Sequence, residues 1–243
     1  SRNPDPTVDD LRELRALVRC NSLDLGLALD LDGDRLVVID KTGRKLTTDV
    51  TLLFCVANAV RLGIRNFAIS VDTSISVKEF IASHNGTVYY SKVGEANVFK
   101  KMSESGAEAG GEGSSAGFIM SKFNMCRDGL LAGVLISSLD RKSITDCLRL
   151  SSKYVQIRSK LAADSRLHKD LIERLYDELG PISSEASEID GIKLIIDENS
   201  WVLIRPSNTE HAVRISVESL ADKASALYEQ IISRAKLVYD EIR

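Results

Sequence analysis

From Leu23 to Asp140, short apolar runs alternate with stretches long enough for helices, and this alternation restricts the fold to α/β layering around a largely parallel sheet. "LDLGLALD" reads as a buried strand ending at Asp30, and "RLVVID" with the turn "KTGRK" as a second strand and its exit. A helix follows, "TDVTLLFCVANAVRLG", with Gly63 in the usual C-terminal position. Strand "NFAISV", helix "SVKEFIASHNG", strand "TVYYS" and helix "GEANVFKKMSES" come next, then a glycine and serine loop, "AEAGGEGSSAG". Strand "FIM" and helix "DGLLAGVLISSLD" complete the unit. Ahead of all these, "PTVDDLRELRALVRC" predicts a helix capped by Thr7, with Leu11, Leu14, Leu17 and Val18 at helical spacing.

From about Ser151 the pattern changes. "KYVQIRSKLA" is strand-like, and "LHKDLIERLYDELG" is an amphipathic helix ended by Gly180. "DGIKLIIDENSWVLIRPS" reads as a hairpin across Glu198, Asn199 and Ser200, "AVRISVES" as a strand and "DKASALYEQIISRAKLVYDEI" as a long last helix. Strands grouped with helices in this way suggest a small α+β domain, separate from the first.

Several function classes are disfavoured by composition. With 243 residues, 28% of them charged, and a net charge of −3, the chain lacks the basic excess of a nucleic-acid or anionic-membrane binder. No apolar run approaches the length that spans a bilayer. The opening "SRNPDPTVDD" is polar and proline-containing, unlike a secretory leader, so a cytoplasmic setting is expected. Cys20, Cys55, Cys126 and Cys147 show no CxxC spacing and read as reduced thiols, not as a disulfide framework or a zinc site.

Three stretches carry candidate chemistry. Asp30, Asp32 and Asp34 fall at alternate positions straight after an apolar run. Unpaired burial of even one carboxylate costs several kcal/mol, so the trio is tolerable if it converges on a hard cation. Asp32-Gly33 as a solvated hairpin turn explains the same residues. "GGEGSSAG", Gly110 to Gly117, is either a mobile surface loop or an anion cradle of backbone N–H groups. In "RPSNTEHAVRI", Arg205, Ser207, Asn208 and Thr209 assemble a guanidinium, two hydroxyls, an amide and backbone donors, the set a phosphate dianion needs; a plain turn would account for Ser-Asn-Thr alone.

Taken together, "NPDPTVDDL…DLGLALDLDGDRLVVID", "GGEGSSAG", "CRDGLLA" and "RPSNTEHAVRI" resemble the α-D-phosphohexomutases, the phosphomannomutase/phosphoglucomutase group. The resemblance implies Mg²⁺ held by Asp30, Asp32 and Asp34, with Arg35 toward the phosphoryl group in transfer. It implies sugar contacts from Glu112 and Ser114, and from Lys92 in "YYSKVGEANV". It assigns phosphate binding to Arg205, Ser207, Asn208 and Thr209, with Arg214 as a further basic position. Ser115 stands where the family pattern has glycine, Ala116 where many members have histidine, and His211 where proline is usual. "IASHNG" looks like the family's nucleophile loop, yet Ser83 follows the acidic segment, whereas the family's serine precedes it.

The fold implied is a mixed-sheet three-layer α/β domain with a remnant of a preceding one, followed by a small α+β domain: residues 1–42 as the end of the family's second domain with the metal loop, 43–150 as the third and 151–243 as the fourth. The activity implied is reversible Mg²⁺-dependent transfer of a phosphoryl group between O1 and O6 of a hexose phosphate, through a hexose bisphosphate. The chain is expected to be the C-terminal part of such an enzyme, its partner being the missing N-terminal half that bears the nucleophile, and to be inactive alone. A non-catalytic sugar-phosphate-binding module is the alternative. A DxD glycosyltransferase or a HAD-like phosphatase would use Asp30 or Asp32, but neither pattern includes the Glu112 or Arg205 loops.

Overall fold

A computed structural model describes residues 3–207 and 210–243, and the chain divides after Ser151 into two compact units. The first opens with helix α1 (Arg12–Cys20) and an antiparallel hairpin of β1 (Leu25–Leu29) and β2 (Leu36–Asp40). Thr7 does not cap α1. Its N–H and hydroxyl both donate to Asp5 Oδ1, at 2.8 and 2.6 Å. Asp9 takes the Leu11 N–H at 2.7 Å. These side chains compete with the helix for backbone donors and delay its start to Arg12, after Leu11 in a left-handed turn (φ 51°). Every residue of β2 is buried, because α1 covers one face through Val37 and Ile39 while Leu36 and Val38 face the main core. β1 is the more open strand, with Leu27 37% exposed, so the expected burial of "LDLGLALD" is only partial.

The main sheet of this unit runs in the order β4-β3-β5-β6. Here β3 is Asn66–Ser70, β4 Thr87–Ser91, β5 Ala109–Glu112 and β6 Gly117–Met120. The first three are parallel, and β6 returns antiparallel to β5, giving a mixed sheet. One face is covered by α4 (Glu95–Ser105) through Val98 and Met102. The other is covered by α2 (Thr48–Arg61), α3 (Ile75–Ser83), α5 (Gly129–Ser137) and α6 (Arg141–Ser151). α2 is apolar nearly all round and is correspondingly buried from Asp49 to Val60.

Two further elements of this unit depart from the sequence reading. The front of the glycine and serine stretch is not a loop but β5, buried throughout. A Cβ at Gly110 or Gly111 would approach Ala68 O and Leu52 Cδ1 to 2.6 and 2.5 Å, so glycine here reflects tight packing against strand and helix. α6, beyond the expected last helix, contributes Ile144, Cys147 and Leu148 to the core.

The second unit is a five-stranded antiparallel sheet in the order β7-β11-β10-β9-β8, with helices on one face. Its strands are β7 (Tyr154–Ala162), β8 (Glu185–Ser187), β9 (Ile192–Asp197), β10 (Ser200–Pro206) and β11 (Ala212–Leu220). α7 (His168–Leu179) and α8 (Ala224–Ile242) pack Leu171, Leu175, Ile231 and Val238 against Leu194, Val202, Ile204 and Ile215. Gly180 does not end α7 in a left-handed turn. It continues with right-handed angles into a short 3-10 turn. Overall the chain is a mixed-sheet three-layer α/β unit followed by a small α+β unit. No helix among the described residues is long and apolar enough to cross a membrane.

Candidate functional site

The acidic segment forms the six-residue connection from Leu29 to Leu36, wider than a two-residue turn, with Gly33 at φ 72° supplying the reversal. Alternate spacing brings Asp30, Asp32 and Asp34 to one point, with one ligand oxygen of each within 4.8 Å of the others. Asp30 is buried, Asp34 half-buried and Asp32 exposed. The loop is held from outside by the first turn of α5, where the Gly129 N–H donates to Gly33 O at 2.9 Å. A bridge from Arg35 to Gly117 ties it to the start of β6.

Arg35 is folded back onto the acids. Its backbone N–H and Nε donate to Asp30 at 3.1 and 2.6 Å, and its Nη1 donates to Asp5 Oδ2 at 2.8 Å. Burial works against an ionised Asp30, but the Arg35 N–H, a hydrogen bond with Asp34 and the Arg35 guanidinium together bring its carboxyl down to about 2. Asp34 moves the other way. Burial, and then the hydrogen bond with Asp30, push it above the ordinary carboxylate value, with Arg127 in opposition. Asp34 Oδ1 is buried without a hydrogen-bond partner, 3.5 Å from Arg35 Nε. Three hard oxygen donors, one of them orphaned, suit a divalent cation such as Mg²⁺.

Beside this cluster lies the β5–β6 turn. Glu112 is 4% exposed, and accepts from the Gly94 N–H at 2.6 Å and from Ser115 Oγ at 3.2 Å. Burial raises the Glu112 carboxyl above its usual range, the Gly94 hydrogen bond working against it. Gly113 N–H donates to Thr73 Oγ1 at 3.2 Å, which anchors the turn to the loop after β3. Ser114 is half-buried on the same turn, and Ala116 takes a left-handed φ of 58°. Lys92 is exposed at the end of β4, two residues before the amide that binds Glu112. Ser83 terminates α3, its hydroxyl donating to Phe80 O at 2.8 Å.

In the second unit, Arg205 and Arg214 are directly opposed across β10 and β11, and Arg214 opposes Lys160 across β11 and β7. Three cations in one cross-strand row repel one another unless an anion intervenes. Glu210 relieves the row in part, meeting Lys160 Nζ at 2.7 Å and Arg214 Nη2 at 4.0 Å. Arg205 lies 3.8 Å from Asp190. Arg214 Nε donates to Ser207 Oγ at 3.4 Å, and the Ser207 N–H donates to Ala212 O. Asn208 and Thr209 lie outside the described residues.

Sequence reasoning missed Asp5, Lys160, Glu95 and Arg127. The last stood in plain view in "CRDG" ahead of α5, but no local pattern ties it to Asp34, to which it donates from 93 positions away.

Comparison with known proteins follows the same lines. Residues 48–155 match the profile described as phosphoglucomutase/phosphomannomutase, alpha/beta/alpha domain III, and residues 154–233 the profile of the phosphoglucomutase/phosphomannomutase C-terminal domain. A probable phosphoglucosamine mutase of Methanothermobacter thermautotrophicus is 35% identical over 235 residues, which are 94% of this chain and 51% of that protein. A phosphoglucosamine mutase of Methanococcus maripaludis is 30% identical over 245 residues, 97% of this chain and 54% of that protein. The crystal structure of a phosphoglucomutase/phosphomannomutase family protein from Burkholderia thailandensis superposes with a TM-score of 0.81 at 24% identity, covering 97% of this chain and 51% of that one, and shows the fold. The chain thus spans about half the length of the curated relatives it matches.

Proposed function

The chain belongs to the α-D-phosphohexomutase family, and from that premise we propose that it carries the cation-binding and substrate-recognition parts of an enzyme that moves a phosphoryl group between O1 and O6 of a hexose phosphate. The observation that carries the reading is the convergence of Asp30, Asp32 and Asp34 on one point, with an orphaned Asp34 oxygen and Arg35 alongside. A cation bound there would neutralise charge on a transferring phosphoryl group. Asp30, Asp32 and Asp34 hold it, and Arg35 adds a guanidinium donor for phosphoryl oxygens. Glu112 accepts sugar hydroxyls with Ser114 beside it, and Lys92 is a further sugar contact. Arg205, Ser207 and Arg214, with Asn208 and Thr209, bind a phosphate group that is not reacting, so that remote binding energy orients the sugar. The names of the relatives favour an amino sugar, glucosamine phosphate, as substrate.

On this reading residues 1–42 end the family's second domain, and the chain alone binds ligands without turning them over. The test is calorimetric titration of Mg²⁺ and of glucosamine 6-phosphate into the 243-residue chain. Asp30→Asn, Asp32→Asn and Asp34→Asn combined should abolish the Mg²⁺ heat. Arg205→Ala should abolish the sugar-phosphate heat. Unchanged binding in the triple variant would refute the cation assignment, and turnover that disappears in Ser83→Ala would refute the placement of the nucleophile outside this chain.

A further inference from the structure

Arg127 is set into its place from three sides. Its backbone N–H donates to Glu95 Oε1 at 2.9 Å, which fixes the main chain before the side chain begins. The side chain then crosses Gly117, where a Cβ would meet Arg127 Cδ at 2.1 Å and Cγ at 2.9 Å. The guanidinium hydrogen-bonds Asp34 Oδ2, lies 3.2 Å from Glu95 Oε2 and lies 3.7 Å from Glu112 Oε1. Its side chain is 20% exposed, and that of Glu112 is 5% exposed. A single cation therefore serves one acid from the acidic connection, one from the first turn of α4 and one from the β5–β6 turn.

We propose that Arg127 is a positioning residue that couples occupancy of the acidic cluster to the placement of Glu112. The inference rests on the cation reading above and deepens it. By engaging Asp34 through Oδ2, Arg127 leaves Oδ1 without a hydrogen bond, 3.5 Å from Arg35 Nε, for a cation to draw on. A cation drawing on the same carboxylate weakens its pair with Arg127, and the guanidinium then leans on Glu95 and Glu112. The linkage is reciprocal: a hydroxyl bound at Glu112 changes the hold on Asp34. Lysine cannot substitute, because its compact ammonium has no planar fork to hold separate carboxylates.

The test is an NMR titration of the full chain with MgCl₂. The Gly94 amide, which donates to Glu112 Oε2, reports on Glu112, and the amides of Asp32 and Gly33 report on the cluster. In the wild type both sets should shift along one binding curve. In Arg127→Ala and Arg127→Lys the Asp32 and Gly33 shifts should persist and the Gly94 shift should be lost; the lysine variant retains the positive charge should the alanine variant fail to fold. A Gly94 signal that stays still in the wild type while Asp32 and Gly33 move, or that moves equally in the lysine variant, overturns the coupling. Asp32 and Gly33 signals indifferent to Mg²⁺ in the wild type overturn the cation reading, and the coupling with it.

Discussion

Gly117→Ala should be costly for a reason that disappears when Arg127 is removed. The new methyl would arrive 2.1 Å from Arg127 Cδ, 2.9 Å from Cγ and 3.3 Å from Ser115 Oγ. The backbone at Gly117 is an ordinary strand conformation, so the cost is steric and electrostatic. If Arg127 stays, overpacking costs about 1–3 kcal/mol. If it swings out, a charge-assisted hydrogen bond worth about 1.5–3 kcal/mol is lost. The Arg127 and Asp34 side chains are 20% and 22% exposed, so solvent softens the loss, and about 2 kcal/mol is the expected cost. For a unit of this size that lowers the melting temperature by about 4–8 °C. In an Arg127→Ala background the two closest approaches are gone, Ser115 Oγ at 3.3 Å remains, and the same methyl should cost less than about 0.5 kcal/mol. Urea denaturation of the wild type, both single variants and the double variant, followed by far-UV circular dichroism, closes the cycle. Equal costs of Gly117→Ala in the two backgrounds would refute the argument that Gly117 is small to let Arg127 pass.

Glu112 offers a pH test. Burial raises its folded carboxyl above the usual 4.5, so its contribution to stability is fullest below that value and is lost as the pH rises through the folded one. Glu112→Gln should therefore melt higher than wild type near pH 7, and a variant that tracks wild type from pH 4 to 8 would contradict the burial account. Arg214→Thr should relieve the Lys160–Arg214–Arg205 row, gaining up to about 1 kcal/mol in low-salt urea melts, fading at about 1 M salt, while phosphate binding by calorimetry is lost. A stability loss at low salt would count against the row. Native thiol titration should label Cys20 and Cys126 quickly and spare Cys55 and Cys147, where burial pushes the Cys147 thiol up to about 12; rapid reaction of all would show an open core.

Whatever depends on near neighbours in the chain was legible in the sequence. Apolar runs with flanking turn residues identified β2, β3, β4 and, in the second unit, β7, β9, β10 and β11 but not the short β8, and α2 showed itself as a long apolar run stopped by Gly63, which does take a left-handed φ of 92°. Asp30, Asp32 and Asp34 could be grouped because a chain reversal at Gly33 brings alternate residues together by local geometry. The signals failed where the deciding partner is distant. β5 reads as a loop because its glycines answer to Ala68 and Leu52, far off in sequence, instead of to any strand propensity of their own. Thr7 reads as a cap, but Asp5 takes its donors and also holds Arg35. Arg127 lies in "CRDGLLA", but nothing in that stretch names its partners. Its meaning comes from a mixed sheet that brings the end of β4 near the β5–β6 turn, and from the Arg35–Gly117 bridge that ties the acidic connection to β6, so that Glu95, Glu112 and Asp34 share one guanidinium. Local chemistry chose the residues of the candidate cation site, and the long-range pairing of strands chose the residue that ties them to the β5–β6 turn.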